Sequence, residues 1–286
     1  MLQLLLNALI SAAIIAPPAI AFTLLFSILR FPNFAVGSFI TVGSYAALVA
    51  NVFFGWGMLP AIAAAVVVTA AVFTLSDRIV FRPLTGHSDV TLLVVSIALS
   101  FIVESALRLA FGSAVRGYDL PLARPLELGA LRATADQLAL VAASAACLAL
   151  AYGVLRFTSI GKALRAIADN PTLAEVRGIP TDRVKLLGWL FCGALIGLSG
   201  VFAGVELVVE PMLGAKLIIP VFAAAILGGI GSPHGAMAGA VLVCLAEELA
   251  LLAVPSNYKV GVGFVIIALT LLLRPHGLFG RPEIKK

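Results

Sequence analysis

Residues 156–185 read RFTSIGKALRAIADNPTLAEVRGIPTDRVK. This stretch carries six basic side chains (Arg156, Lys162, Arg165, Arg177, Arg183, Lys185) and three acids (Asp169, Glu175, Asp182), and the sequence on either side is almost entirely hydrocarbon. A segment this polar stays out of lipid, and a basic loop in a membrane protein faces the cytoplasm. Of the 286 residues, 62% are hydrophobic and 12% are charged, where a soluble domain carries roughly a quarter charged. The chain therefore reads as an all-α, polytopic transmembrane protein, with residues 1–286 forming one membrane domain. Its net charge of +5 is loop charge that orients the chain rather than a nucleic-acid surface.

Outward from that loop, apolar runs and breakers divide the chain into Leu2–Leu29, Phe34–Phe54, Met58–Phe81, Val90–Phe111, Gln137–Leu155, Leu186–Val209, Leu217–Ile230, Ala236–Val254 and Val260–Leu273. A spanning helix needs about 20 residues. Leu217–Ile230 falls well short, so it reads as a half-helix or re-entrant segment, giving eight or nine crossings. With nine crossings and an outside N-terminus, thirteen basic residues fall inside and five outside, with Arg108 within a helix. That bias places the 156–185 loop and the C-terminal Lys285 and Lys286 in the cytoplasm. The outer loop Gly112–Asp136 is charge-balanced and rich in Leu and Pro, which suits extracytoplasmic docking. Ala19-Ile20-Ala21 mimics a signal-peptidase site, but no Lys or Arg precedes Arg30. Without a basic n-region, the first segment is expected to stay as a membrane helix.

The chain has no G-x-x-x-x-G-K-[ST] loop, no H-E-x-x-H and no G-x-S-x-G elbow, so nothing in it points to nucleotide, zinc or acyl-transfer chemistry. Cys147, Cys192 and Cys244 sit apart in apolar runs, and His87, His234 and His276 lack metal-ligand spacing. The cysteines read as small packing residues. No catalytic residue, metal or chain-bound cofactor is expected, which leaves a transporter component as the leading class.

Within the loop, Gly161 reads as the break from the preceding helix and Lys162–Ala168 as a short amphipathic helix. Asn170-Pro171 stops that helix. Thr172–Arg177 forms a second, ended by Gly178 and Pro180. Arg165 and Asp169, four apart, share a face, and Ala166 and Ala174 are small enough for a partner to approach closely. This grammar fits a knob for a partner's groove, though a solvated connector has the same composition. Upstream, Arg30-Phe31-Pro32-Asn33 interrupts two apolar runs. A helix broken at membrane depth lines a cavity or is buried in protein, and its freed backbone groups can hold a zwitterion. A cytoplasmic turn is the alternative. Glycines four apart (Gly193/Gly197, Gly200/Gly204, Gly231/Gly235/Gly239) mark close helix contacts, and Ser232-Pro233 reads as an N-cap and first helical position. Five glutamates lie in or at the edges of apolar runs. Glu206 and Glu210 share a helical face near a wet mouth, Glu247 and Glu248 point about 100° apart, and Glu104 could pair with Arg108 or serve a pathway.

The run Gly161-Lys162-Ala163-Leu164-Arg165-Ala166-Ile167-Ala168-Asp169-Asn170, followed by Ala174 and Gly178-Ile179, resembles the coupling loop of ABC importer permeases of the branched-chain amino acid (LivH-type) family. Asn33-Phe34-Ala35-Val36-Gly37, Gly228-Gly229-Ile230-Gly231-Ser232-Pro233-His234-Gly235-Ala236 and the ending from Arg274 to Glu283 agree in order and spacing. The resemblance implies a permease subunit in a bacterial inner membrane, importing branched-chain or related amino acids. It implies that Gly161, Arg165, Ala166, Asp169, Asn170, Ala174 and Gly178 meet the ATPase, while the broken helix and the buried acids read as placing Asn33, Phe34, Gly37, Ser38, Glu104, Glu206 and Glu210 along the translocation path. Its implied partners are two ATPase subunits holding ATP and Mg, a second homologous permease, a periplasmic substrate-binding protein and membrane lipid, with no nucleic acid. Val36 stands where the family commonly has His, and Glu104 where it often has an amide. Both departures leave urea, short amides or aromatic acids as alternative substrates. A proton-coupled secondary transporter using the buried glutamates is the rival from another class.

Overall fold

Two adjacent prolines, Pro17 and Pro18, stand at the centre of the first helix, α1 (Leu2–Leu29), which nevertheless runs for 28 residues. Proline cannot donate to the carbonyl four residues back, so the carbonyls of Ala13 and Ile14 lose their helical partners. In the computed structural model, which describes residues 1–84, 86–120, 126–128, 131–252, 255, 258–274 and 276–280, two serines from other helices supply the missing donors. Ser144 Oγ donates to Ala13 O at 2.7 Å and Ser199 Oγ donates to Ile14 O at 2.7 Å. Prolines persist in membrane helices where neighbours re-satisfy the freed groups in this way. Arg30, in the left-handed conformation with φ 61°, ends α1.

After α1 follow α2 (Ala35–Leu48, prolonged by a π-turn at Val49–Phe53), α3 (Met58–Ser76, prolonged to Leu84), α4 (Asp89–Phe111), α5 (Ala135–Phe157), α6 (Ser159–Asp169), α7 (Pro171–Val176), α8 (Thr181–Glu206), α9 (Leu213–Gly228), α10 (Pro233–Ala250) and α11 (Lys259–Leu273). A hairpin, β1 (Leu126–Leu128) with β2 (Leu131–Ala133), precedes α5. Among the described residues six helices are long and apolar enough to cross a membrane: α1, α2, α3, α4, α5 and α8, the second and third with their prolongations. The short trio α9, α10 and α11 pack on one another, and α9 and α10 also pack on α1.

The bundle has two ends. At one end Gly188 meets Leu164 and Ile28, Ser27 meets Gly231, Arg82 pairs with Asp182 at 2.9 Å, and Leu278 N donates to Leu227 O. At the other, Gln3 exchanges two hydrogen bonds with the Arg132 backbone, Gln137 donates to Glu206 at 3.0 Å, and Lys259 pairs with Glu248. By these contacts α1 and α8 each run from one end to the other. The run expected at Leu217–Ile230 begins earlier, at Leu213. Its 16 residues reach about 24 Å, short of a full span, and they are buried by neighbours instead of meeting lipid. The small residues are what bring α2 and α9 together. A Cβ on Gly37 would stand 2.8 Å from the Gly214 carbonyl oxygen, and Thr41 Oγ1 accepts from Gly214 N. Residues 281–286, with Arg281, Lys285 and Lys286, lie outside the described residues.

Candidate functional site: a buried helix break and a capped loop corner

The chain between α1 and α2 is not a solvated turn. Phe31 and Asn33 are each 1% exposed. Phe34 N donates to Ser96 Oγ at 3.1 Å, and Ser96 lies seven residues into α4, about 10 Å from its start. The Phe34 ring meets Phe222 at 4.7 Å between centroids, and Phe222 meets Phe22 at 4.3 Å. These partners place the break inside the bundle, about two helical turns from the α6–α7 end. Asn33 Oδ1 accepts from Ala35 N at 3.0 Å, capping the first turn of α2, while Asn33 Nδ2 is buried without a partner. Thr23 Oγ1, one residue from Phe22, is likewise buried without an acceptor. Ser38 turns its hydroxyl onto Ala35 O within its own helix, and Gly37 serves the contact with α9.

The glutamates expected along the path are dispersed. Glu104 is buried on α4, with Arg108 the nearby opposite charge. Glu206 and Glu210 do not share a helical face, because α8 ends at Glu206 and the chain turns at Leu207. Glu206 accepts from Gln137, and Glu210 pairs with Lys216. Glu247 and Glu248, although successive, are both buried. Glu248 pairs with Lys259, while Glu247 Oε1 has no partner. The three predicted acids therefore sit towards the end opposite α6–α7, apart from Asn33, Phe34, Gly37 and Ser38. That opposite end is closed by groups the sequence did not mark. Arg116 and Val209 exchange two backbone hydrogen bonds of 2.9 Å, Tyr118 donates to Ser44 O at 3.0 Å, and Asp119 N donates to Asn51 Oδ1 at 2.8 Å. Burial pushes the Tyr118 phenol above its ordinary pKa, so it stays a neutral donor.

The loop corner is fixed by two caps. The Thr158 hydroxyl donates to Val154 O at 2.6 Å and accepts from Gly161 N at 3.2 Å, closing α5 and opening α6. The break is therefore at Thr158, and Gly161 lies inside α6. It is glycine because a Cβ there would collide with the Leu155 backbone. Asn170 repeats the device, its N–H bonding Ala166 O and its Oδ1 accepting from Leu173 N at 3.0 Å, with Pro171 next. Gly178, at φ 80°, ends the second turn. Arg165 and Asp169 are exposed, as expected, but Ala174 is 3% exposed and packs inward with Leu164 and Ile167. Ala174 presents almost no surface, and Ala166 is half-buried against the core. The outward apolar groups are Leu173 at 53%, Val176 at 80% and Phe157 at 72% exposure. Sequence periodicity did not single out Leu173 and Val176, because the six residues of α7 are too few for an amphipathic pattern, and Phe157 is the last residue of α5. Among the described residues no group of His, Cys, Asp and Glu could hold a metal ion.

A family described as "Branched-chain amino acid transport system / permease component" matches residues 4–271. The chain is 30% identical to the high-affinity branched-chain amino acid transport system permease protein LivH of Escherichia coli, covering 94% of this chain and 92% of that one. It is 30% identical to BraD, the protein of the same description in Pseudomonas aeruginosa, over 100% and 97%. The fold is similar to PsaBC from Streptococcus pneumoniae, solved with a Fab, at a TM-score of 0.51 and 16% identity over 94% of this chain and 91% of that one. A capped loop between membrane helices, a buried break before α2 and near-complete coverage of these relatives agree with one another, and the chain belongs to the permease-component family of branched-chain amino acid transport systems.

Proposed function

We propose that this chain forms the membrane path of an ABC importer for branched-chain or related amino acids in a bacterial inner membrane. The six long helices and the shorter α9, α10 and α11 make nine crossings, with the N-terminus outside and the α6–α7 end and C-terminus in the cytoplasm. ATP and Mg are held by two separate ATPase subunits that seat against α6 and α7. A homologous permease completes the path, and a periplasmic binding protein delivers substrate to the end closed by Arg116, Tyr118 and Val209. The observation that carries this reading is the break between α1 and α2. There a buried amide donor, Asn33 Nδ2, lacks an acceptor, and the next residue, Phe34, opens a chain of rings through Phe222 to Phe22. An amino acid with an apolar side chain has complementary parts: a carboxylate for the amide, and a hydrocarbon group for Phe22, Phe34 and Phe222.

The reading is tested by Asn33→Leu in the reconstituted complex, measuring uptake of labelled leucine and basal ATP hydrolysis together. A hydrogen bond to a charged group contributes about 1.5–3 kcal/mol. Uptake efficiency should therefore fall roughly tenfold to a hundredfold while basal hydrolysis persists. Unchanged uptake would remove Asn33 from the path. The buried acids separate this reading from proton-coupled transport. Glu104→Gln should keep most uptake and its pH profile, because the amide still hydrogen-bonds, and loss of both would favour the proton-coupled mechanism.

A further inference from the structure

Behind α6 lies a cavity of about 80 Å³, enclosed by α1, α5, α6 and the turn that opens α10. Its walls are apolar where Leu24, Ile28 and Leu155 face it, and its charged groups have one sign. Arg156, Arg165 and His234 line it, and no carboxylate does. Arg156 is held by Tyr152. Its Nη1 donates to the phenol oxygen, and its guanidinium carbon lies 5.6 Å from the ring centroid. Tyr152 in turn stands edge-on to His234, with centroids 4.6 Å apart. None of the ion pairs among the described residues involves either arginine. Asp169, one turn beyond Arg165, does not line the cavity. Ser232 already takes Gly235 N at the first turn of α10, and the cations at the cavity are the two arginine side chains.

The position matters as much as the charge. Ile28 and Arg156 are next to the last residues of α1 and α5, which puts the cavity at the boundary between hydrocarbon and water. Most of α5 is left uncovered by the rest of the bundle, and Leu150 and Phe157, on either side of Arg156 and Tyr152, are 70% and 72% exposed. An acyl chain lying along α5 would thus bring its headgroup to the two arginines. Guanidinium forks match phosphate oxygens in pairs, and basic pockets between membrane helices hold anionic headgroups. We propose that this cavity binds the phosphate of an anionic phospholipid, bridging Arg156 of α5 and Arg165 of α6 and so fastening the loop helix to the bundle.

The test is lipid retention by the full-length chain, alone and with its partner subunits. The protein is purified from phosphatidylcholine membranes with and without phosphatidylglycerol and read by native mass spectrometry. The native chain should retain phosphatidylglycerol in preference to phosphatidylcholine. Each of Arg156→Gln and Arg165→Gln should cut that preference roughly fivefold, the effect of one basic side chain at a membrane surface. Arg78→Gln, a cation at the same end but outside the cavity, should leave it unchanged. Arg156→Lys with Arg165→Lys should keep most of the preference, which separates lost charge from a damaged fold. Equal retention of both lipids, or an undiminished preference in the glutamine pair, would overturn the proposal. Saturation by inorganic phosphate with no lipid preference would make this a free-anion site and sink the lipid assignment. Loss of ATPase subunits with the lipid preference intact would assign the cavity to a protein carboxylate, and the proposal would fall.

Discussion

Pro17 and Pro18 each remove one hydrogen bond from α1, and Ser144 and Ser199 each return one from a different helix. A proline inside a helix costs about 3 kcal/mol, and an interhelical hydrogen bond in a membrane returns about 0.6 kcal/mol on average and up to about 1.7. The serines therefore offset only part of that cost, and packing at the centre of the bundle supplies the rest. Ser199→Ala should lower stability in detergent by about 1 kcal/mol. Pro18→Ala restores an N–H aimed at Ile14 O, so the double variant should be less sensitive to loss of the serine than the parent chain is. A double-mutant cycle on thermal unfolding reads this directly, and additive effects would mean that the contact contributes nothing. The sequence displayed both prolines and both serines, yet gave no way to pair them. The partners are 131 and 185 residues apart, and a lone hydroxyl in an apolar helix has no local signal. Asn33 was legible for the opposite reason, since the break around it sits within five consecutive residues.

At the level of elements, the loop α6–α7 was readable in outline and misread in its facing. Its helices, its Asn170-Pro171 stop and its Gly178 terminus all follow from local chemistry, where each cap lies within three residues of the group it satisfies. Burial of its alanines does not, because the wall they meet comes from elsewhere in the bundle. The surface the loop exposes is therefore formed by Leu173 and Val176, beside the exposed Arg165 and Asp169, rather than by Ala166 and Ala174. Leu173→Asp or Val176→Asp should leave insertion and thermal stability intact, since neither side chain is buried. If an apolar groove on the ATPase receives them, burying each is worth about 1.5–3 kcal/mol. Co-purification with the ATPase should then weaken roughly tenfold or more. Normal association in both variants would reduce the loop to a solvated connector. Gly178→Val is a useful contrast. It forces a β-branched residue to φ 80° at a cost of about 1 kcal/mol or more, so it should loosen the corner itself and lower stability as well as association.

Over the whole molecule, the charge count and the packing give the same arrangement by separate routes. Basic residues assign sides without reference to contacts, whereas the contacts assign ends without reference to charge. The end that gathers α6, α7, Arg30, Arg78 and Arg82 holds most of the described basic residues, and the end that gathers Gln3, Arg116, Arg132, Lys216 and Lys259 holds few. If α1–α5 and α8–α11 all cross, they alternate in direction and one sided residue fixes every other. The short trio α9–α11 is the sensitive part. If α9 turned back within the membrane, the two residues flanking it would face the same side. Contacts place Lys216 with Glu210 at the Tyr118 end and Gly228 with the Leu278 turn at the α6–α7 end. In a chain with its three cysteines replaced, Ser113→Cys and Met212→Cys should react with an impermeant maleimide in intact cells. Thr172→Cys and Leu278→Cys should react only after lysis. Outside labelling of Leu278→Cys with Thr172→Cys still protected would mean that the chain past α9 is inverted and that the crossing count is even. Outside labelling of Thr172→Cys would overturn the orientation altogether, and with it the placement of any ATPase against this loop.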